Sequence, residues 1–248
     1  MPSISTSNQS SKPWLILLIF GLFASVIFAI YLNFPEVSPE EKVHLKLPRS
    51  LDDAKELGKV LSKYKQDNYW VVLCAVIVVY ITLQSFAIPG SIFLTILSGY
   101  LFPFHIAIVL VCTCSATGAA ICYTLSNLFG RSLVISKFPE RIAKWQVDLA
   151  KHRDDFINYM IFLRITPIVP NWLINIASPV LDVPLRPFFI GTFLGVAPPS
   201  IFYIQAGATL EELTHTNVAW SYSSVLLLAS VAILSLVPIY YKKKFKTE

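Results

Sequence analysis

From Asn158 to Pro187 the chain reads NYMIFLRITPIVPNWLINIASPVLDVPLRP, apolar enough to enter a bilayer, yet it carries Arg164, Asn171 and Asn175 and is broken by Pro167, Pro170, Pro179 and Pro184. At 1.5 Å per residue, the piece from Asn158 to Thr166 reaches only roughly half of a ~30 Å hydrocarbon core before the first proline removes a backbone donor. The spacing predicts a helix that enters, breaks and turns back. Lipid cannot satisfy free N–H and C=O groups, so irregular backbone at membrane depth is tolerated only where protein buries it or where it lines a wet cavity. The break is therefore a candidate site.

Of the 248 residues 55% are hydrophobic and 14% charged, too apolar for a soluble domain, in which roughly a quarter are charged. The fold class expected is an all-α multi-pass membrane protein. Cys74, Cys112, Cys114 and Cys122 all fall in apolar runs and are expected as free, buried thiols. Cys112 and Cys114, two apart on a helix, point to different faces, and His44, His105, His152 and His215 make no metal motif. No metal or cofactor is expected. No intramembrane nucleophile has an evident base and no GxxxxGK loop is present, so a membrane enzyme finds no support.

Taken in order, residues 1–13 read as a disordered tail and 14–34 as a retained transmembrane helix. Residues 35–68 form a polar segment in which Ser50-Leu51-Asp52-Asp53 has a capping-box pattern and Leu51, Ala54, Leu57, Val60, Leu61 and Tyr64 recur at helical spacing. This predicts an amphipathic helix on the membrane or on neighbouring elements. A membrane core follows over 69–210. Tyr69–Phe86 spans and is broken by Pro89, Gly90 and Ser91; Ile92–Leu101 is again only about half a bilayer long. His105–Phe129 is the longest clean span, with small residues Cys114, Gly118 and Cys122 four apart for close helix packing, ended by Gly130-Arg131. Residues 135–156 carry an apolar 3-4 repeat with a basic outer face, the pattern of an interfacial helix. Phe188–Ala206 spans with Gly191 and Gly195 as a GxxxG face; Glu211, Glu212 and His215 lie in a polar loop. Trp220–Tyr241 closes the 211–241 segment before the basic tail 242–248.

The two broken elements, near 88–103 and 158–187, then read as re-entrant hairpins beside five full crossings at 14–32, 69–86, 105–129, 188–206 and 221–241. On this count all of the 20 Lys and Arg except Lys12, Arg164 and Arg186 fall on one side, which is thereby cytosolic, and the N-terminus is lumenal. The hairpins enter from opposite faces with their tips near the midplane, an inverted repeat of the kind that places a substrate site.

Phe86-Ala-Ile-Pro-Gly-Ser-Ile-Phe-Leu94, Leu97-Ser-Gly-Tyr-Leu-Phe-Pro103, Phe129-Gly-Arg131, Phe162-Leu-Arg-Ile-Thr-Pro167, Pro170-Asn-Trp172 and Phe189-Ile-Gly-Thr-Phe-Leu-Gly-Val-Ala-Pro-Pro199 closely resemble the DedA or VTT-domain superfamily, within it the B branch of the transmembrane protein 41 group. The resemblance covers roughly 48–210. It implies two facing re-entrant hairpins and an endoplasmic-reticulum protein that scrambles phospholipids between leaflets, with roles in autophagosome formation and lipid or lipoprotein supply. Expected partners are phospholipids, a sterol as a further candidate, the membrane, and a second copy or a related VTT-domain protein; nucleic acid is not expected. Lys244-x-Lys246-x-x at the end of the sequence looks like a dilysine retrieval signal, with plain topogenic charge as the alternative. Bacterial members typically carry an acid after the first Pro-Gly, here Ser91, and a second arginine after the one matching Arg164, where this chain has Pro170 and Asn171. These departures argue against proton-coupled behaviour.

The residues themselves agree. No Asp or Glu lies between Asp67 and Glu140, and the only acid in the second broken element is Asp182, whereas a proton-coupled carrier needs a titrating intramembrane group. Gln84, Ser91, Thr95 and Ser98 surround the first break; Arg164, Thr166, Asn171, Asn175 and Ser178 surround the second, with Pro89, Gly90, Pro167 and Pro170 making the breaks. A guanidinium fork suits a phosphate, and half-helix N-termini add positive charge aimed at the same anion. The expected function is an energy-independent phospholipid scramblase with this polar lining as its lipid path. A structural Arg164, bonded to carbonyls that the prolines leave free, is the plainer reading of that residue. A transporter of a small anion coupled to an ion or proton, and a noncatalytic scaffold recruiting partners through 50–64 and 135–156, are the competing functions.

Overall fold

A computed structural model describes residues 13–35, 37–150, 155–166 and 169–215, and among them every regular element is a helix. In order these are α1 (Pro13–Asn33), α2 (Pro39–Lys42), α3 (Leu51–Lys65), α4 (Tyr69–Ser85), α5 (Ser91–Leu101), α6 (Phe104–Leu125), α7 (Arg131–Lys137), α8 (Pro139–Ala150), α9 (Phe156–Ile165), α10 (Asn171–Val180) and α11 (Leu185–His215). Among the described residues two stretches, Phe104–Gly130 and Leu185–Thr214, are long and apolar enough to cross a membrane on their own; α4, with 17 residues, and α5 and α9 are shorter.

α11 is the centre of the packing, lying against α5, α6 and α9, while α4 packs on α6 and α3 on α5. Small residues set the closest crossings. A Cβ on Gly99 would strike the Ile204 carbonyl and one on Gly207 the Ile96 carbonyl, so α5 and α11 touch backbone to backbone. Gly118 faces Gln84 and Ile81 of α4, and Gly191 and Gly195 face Met160, Ile161 and Arg164 of α9. With no hydrophobic driving force between helices in lipid, such approach is what dispersion requires.

The amphipathic helix is α3. Ser50 caps it, accepting from the Asp53 N–H at 3.1 Å, but Asp53 reaches back to the Arg49 N–H at 3.2 Å, one residue earlier than a capping box would place it. Its buried face is Ala54, Leu57, Gly58, Val60 and Leu61.

Four expectations are corrected. Gly130-Arg131 does not end the long span: Ser126–Gly130 forms a widened π turn that runs on into α7, with Gly130 itself helical and the Ser126 hydroxyl donating to the Ile176 carbonyl at 2.8 Å. The interfacial helix expected over 135–156 is divided at Phe138–Pro139, where the proline lacks the N–H a continuing helix needs. The polar loop at Glu211, Glu212 and His215 is the last turn of α11, which starts at Leu185, three residues before the expected Phe188, and holds Pro198 and Pro199 inside it. Cys74 is exposed, since α4 turns that face outward, while Cys112, Cys114 and Cys122 are buried and free as expected. Pro167, His152, the span 221–241, Lys244 and Lys246 lie outside the described residues.

Candidate functional site

Two helix ends, that of α4 at the first break and that of α10 beyond the second, are built the same way. α4 ends in a Schellman motif, with the Ile88 N–H bonded to the Leu83 carbonyl at 2.9 Å and Ala87 left-handed at φ 55°. α10 ends likewise, the Val183 N–H on the Ser178 carbonyl at 3.0 Å and Asp182 at φ 59°. Neither turn uses glycine at the left-handed position. Arg131 braces the second, donating to the Pro179 carbonyl at 3.1 Å and to Asp182 Oδ1 at 2.5 Å. Pro179 therefore sits in the last turn of α10 and does not break it, because the chain reverses only after Val180. Gly90, at φ 121°, then opens α5, and Pro170 opens α10. Neither N-terminus has a side-chain cap, which leaves N–H groups of the first turn free for a ligand.

A cavity of about 480 Å³ lies where the two N-termini converge. Ser91 and Ile92 line it from α5, Pro170 and Asn171 from α10, Tyr80 and Gln84 from α4, Ser115 from α6, and Ser200 and Tyr203 from α11. Thr95, Arg164 and Thr166 complete the polar wall, which holds no carboxylate among the described residues. One side is a chain of hydroxyls. Thr95 donates to the Ser91 carbonyl at 3.0 Å, so Tyr80 donates to Thr95 at 3.0 Å and receives from Ser115 at 3.1 Å.

The other side is Arg164, buried at 5% exposure. Its Nη1 donates to the carbonyl and the Oδ1 of Asn171 at 3.3 and 3.1 Å, and its Nη2 to Asn175 Oδ1 at 2.6 Å and Thr192 Oγ1 at 3.0 Å. The guanidinium also lies over the Phe188 ring, 5.4 Å from its centroid. Every one of these partners is neutral, and among the described residues no carboxylate pairs with it. Its charge therefore stays uncompensated at the cavity wall. Arg164 Nε and Asn175 Nδ2 are buried donors without a protein acceptor. The fork expected to grip a phosphate directly is thus occupied in holding α10 and α11 to α9.

Of the residues singled out in the sequence, Gln84, Ser91, Thr95, Arg164, Thr166 and Asn171 share this cavity, and Pro170 with them. Asn175, Ser98 and Ser178 do not line it: Asn175 lies behind Arg164, and Ser98 and Ser178 turn back onto the Leu94 and Ile174 carbonyls of their own helices at 2.7 Å. Sequence reasoning missed Tyr80, Ser115, Thr192, Ser200 and Tyr203. Thr192 carried a signal, since it sits beside Gly191 on the small-residue face; Tyr80 inside an apolar run carried none.

The VTT domain model matches residues 88–209, which contain both N-termini and most of the cavity wall. The chain is 77% identical to the transmembrane protein 41 homolog of Caenorhabditis elegans over 242 residues, 98% of each chain. It is 52% identical to human transmembrane protein 41B over 253 residues, covering 98% of this chain and 87% of that one, and 53% identical to the rat protein over 245 residues, covering 99% and 84%. No solved structure matches. The chain is a membrane protein and belongs to the VTT-domain family, in its transmembrane protein 41 group.

Proposed function

We propose that the chain is an energy-independent phospholipid scramblase of the endoplasmic-reticulum membrane, serving autophagosome formation and lipid or lipoprotein mobilisation as the family resemblance implies. The observation that carries the reading is the cavity: two uncapped half-helix N-termini and an uncompensated Arg164 converge on a hydroxyl-lined space without a carboxylate. In this reading the broken elements near 88–103 and 158–187, which hold α5 and α9–α10, are opposed re-entrant hairpins, with five full crossings around them, α4 being one of the five. The lipid phosphate meets the free N–H groups at Ser91 and Asn171, while Arg164, fixed behind them, supplies the field. The headgroup exchanges bulk water for these partners and local water, so its desolvation barrier falls while the tails stay in lipid. Transfer is bidirectional and downhill. A proton-coupled transporter is disfavoured because no acid among the described residues lines the space.

The test is purified protein in liposomes that carry a fluorescent phospholipid, exposed to a membrane-impermeant quencher. A scramblase exposes both leaflets to the quencher. Loss of the outer-leaflet signal alone, in vesicles that contain folded protein, overturns the reading.

A further inference from the structure

A second cavity, of about 340 Å³, shares no lining residue with the first and lies between the C-terminal half of α1, the segment before α3, α3 itself, the middle of α4 and α5. Its walls include Ile30 of α1 and Phe34 just after it, Leu57 and Leu61 of α3, and Ala75 and Val79 of α4; apart from Lys46 it is almost wholly apolar. We propose that this groove binds one acyl chain of an anionic phospholipid, with the phosphate held at the rim by the basic segment before α3.

Three observations choose this occupant. α1 is exposed along most of its length, with Leu17, Leu18, Phe20, Leu22, Phe28 and Leu32 all outward, so the medium around the groove is hydrocarbon. An apolar void open to lipid tails gains the dispersion contacts of its walls when a tail enters it. The size excludes a partner helix, whose diameter with side chains is about 10–12 Å, and lies at the small end of ligand pockets, which run from about 300 to 1,000 Å³. The rim then selects the headgroup. Lys42, His44, Lys46 and Arg49 stand on one short segment that follows Glu40 and Glu41 and then carries no Asp or Glu until Asp52, and Lys42, Lys46 and Arg49 are exposed. Lys46 pairs with Asp53 at 2.8 Å, but that exposed ammonium keeps two further N–H donors. The exposed Trp70 and Tyr31 beside this end of α4 and α1 mark the headgroup level. A sterol hydroxyl would make no use of this charge.

The test uses the full chain in phosphatidylcholine vesicles doped with phosphatidylglycerol bearing a photoactivatable group midway along one acyl chain, followed by peptide mapping. The expected adducts concentrate on 27–34 and 75–79, and Ile30→Trp and Ala75→Trp, which fill the groove, lower them by about fivefold or more. Labelling of the outward face of α11 at Ile201 and Phe202 stays constant, which reports that the variants are folded and inserted. The double change Lys46→Gln and Arg49→Gln lowers labelling by the anionic probe but not by a phosphatidylcholine probe. Adducts spread evenly over α1, α4 and α11 in the unaltered protein, equal labelling by the two probes, or labelling of 27–34 by a photoactivatable sterol that excess phosphatidylglycerol does not displace, each overturns the proposal. The site is separate from the lipid path, so a failed scrambling assay leaves this map intact.

Discussion

At the scale of single residues, Arg164 does two things that a substitution can separate. Its terminal nitrogens tie Asn171, Asn175 and Thr192 together, and its charge faces a cavity with no acid. Arg164→Ala and Arg164→Lys both leave buried oxygens without donors, at about 1–3 kcal/mol for each unmet group, so both should lower the melting temperature in detergent. Only Arg164→Ala removes the charge. The scrambling rate per folded protein is therefore expected to fall in Arg164→Ala and to stay near the original in Arg164→Lys; equal rates in all three would leave Arg164 a strut. Gly191 is a second test of close packing. An added Cβ would lie 2.5 Å from the Met160 Cβ and 3.1 Å from the Ile157 carbonyl, so α9 must move away from α11. Gly191→Ala should cost about 1–3 kcal/mol in a detergent melt, whereas Gly21→Ala, with open space around it, should be neutral or slightly stabilising.

At the scale of elements, the turns that end α4 and α10 take the left-handed conformation without glycine. Ala87 takes the left-handed conformation that an L side chain adopts at a cost of roughly 1–2 kcal/mol, so Ala87→Gly should raise the melting temperature. At Asp182 the same exchange also removes the carboxylate that Arg131 holds, and the gain should be absent. A different element depends on acid. The Lys63 ammonium, then the Tyr64 and Ser38 hydroxyls, hold the Glu41 carboxyl down to about 2 from its ordinary 4.5, clasping α2 to α3 outside the spanning segments. A depressed carboxylate contributes stability that is complete above its unfolded value and lost as pH falls through its folded one. The difference in melting temperature between the unaltered protein and Glu41→Gln should thus be constant from neutrality down to about pH 4.5 and shrink from there toward pH 2. A difference that grows on acidification would mean that the clasp is not what holds Glu41.

At the scale of the whole molecule, opposed hairpins require an odd number of full crossings between them, and a total of five such crossings puts the termini on opposite sides. Glycosylation-tag mapping should find the N-terminus lumenal and the C-terminus cytosolic; both termini on one side would mean that a broken element crosses fully. Because no carboxylate or histidine among the described residues lines the cavity, scrambling should change little between about pH 5 and 8. A steep change there would revive coupled transport.

The membrane class, the two breaks, the amphipathic α3 and the family were legible in the chain itself, because proline and glycine chemistry, apolar run length and 3.6-residue periodicity act over a few residues. Elements ran past their expected ends at Gly130 and Glu211, where packing carried helix through residues of weak or polar signal. What only the tertiary structure decided is what the broken stretch from Asn158 to Pro187 meets. The close crossing at Gly99 and Gly207 brings α5 against α11, and the Gly191 and Gly195 face brings α9 there too. Through these crossings two N-termini some 80 residues apart, at Ser91 and Asn171, share one cavity, and Arg164 meets Thr192. No local pattern encodes such meetings, because a polar group's partners depend on where another helix crosses it.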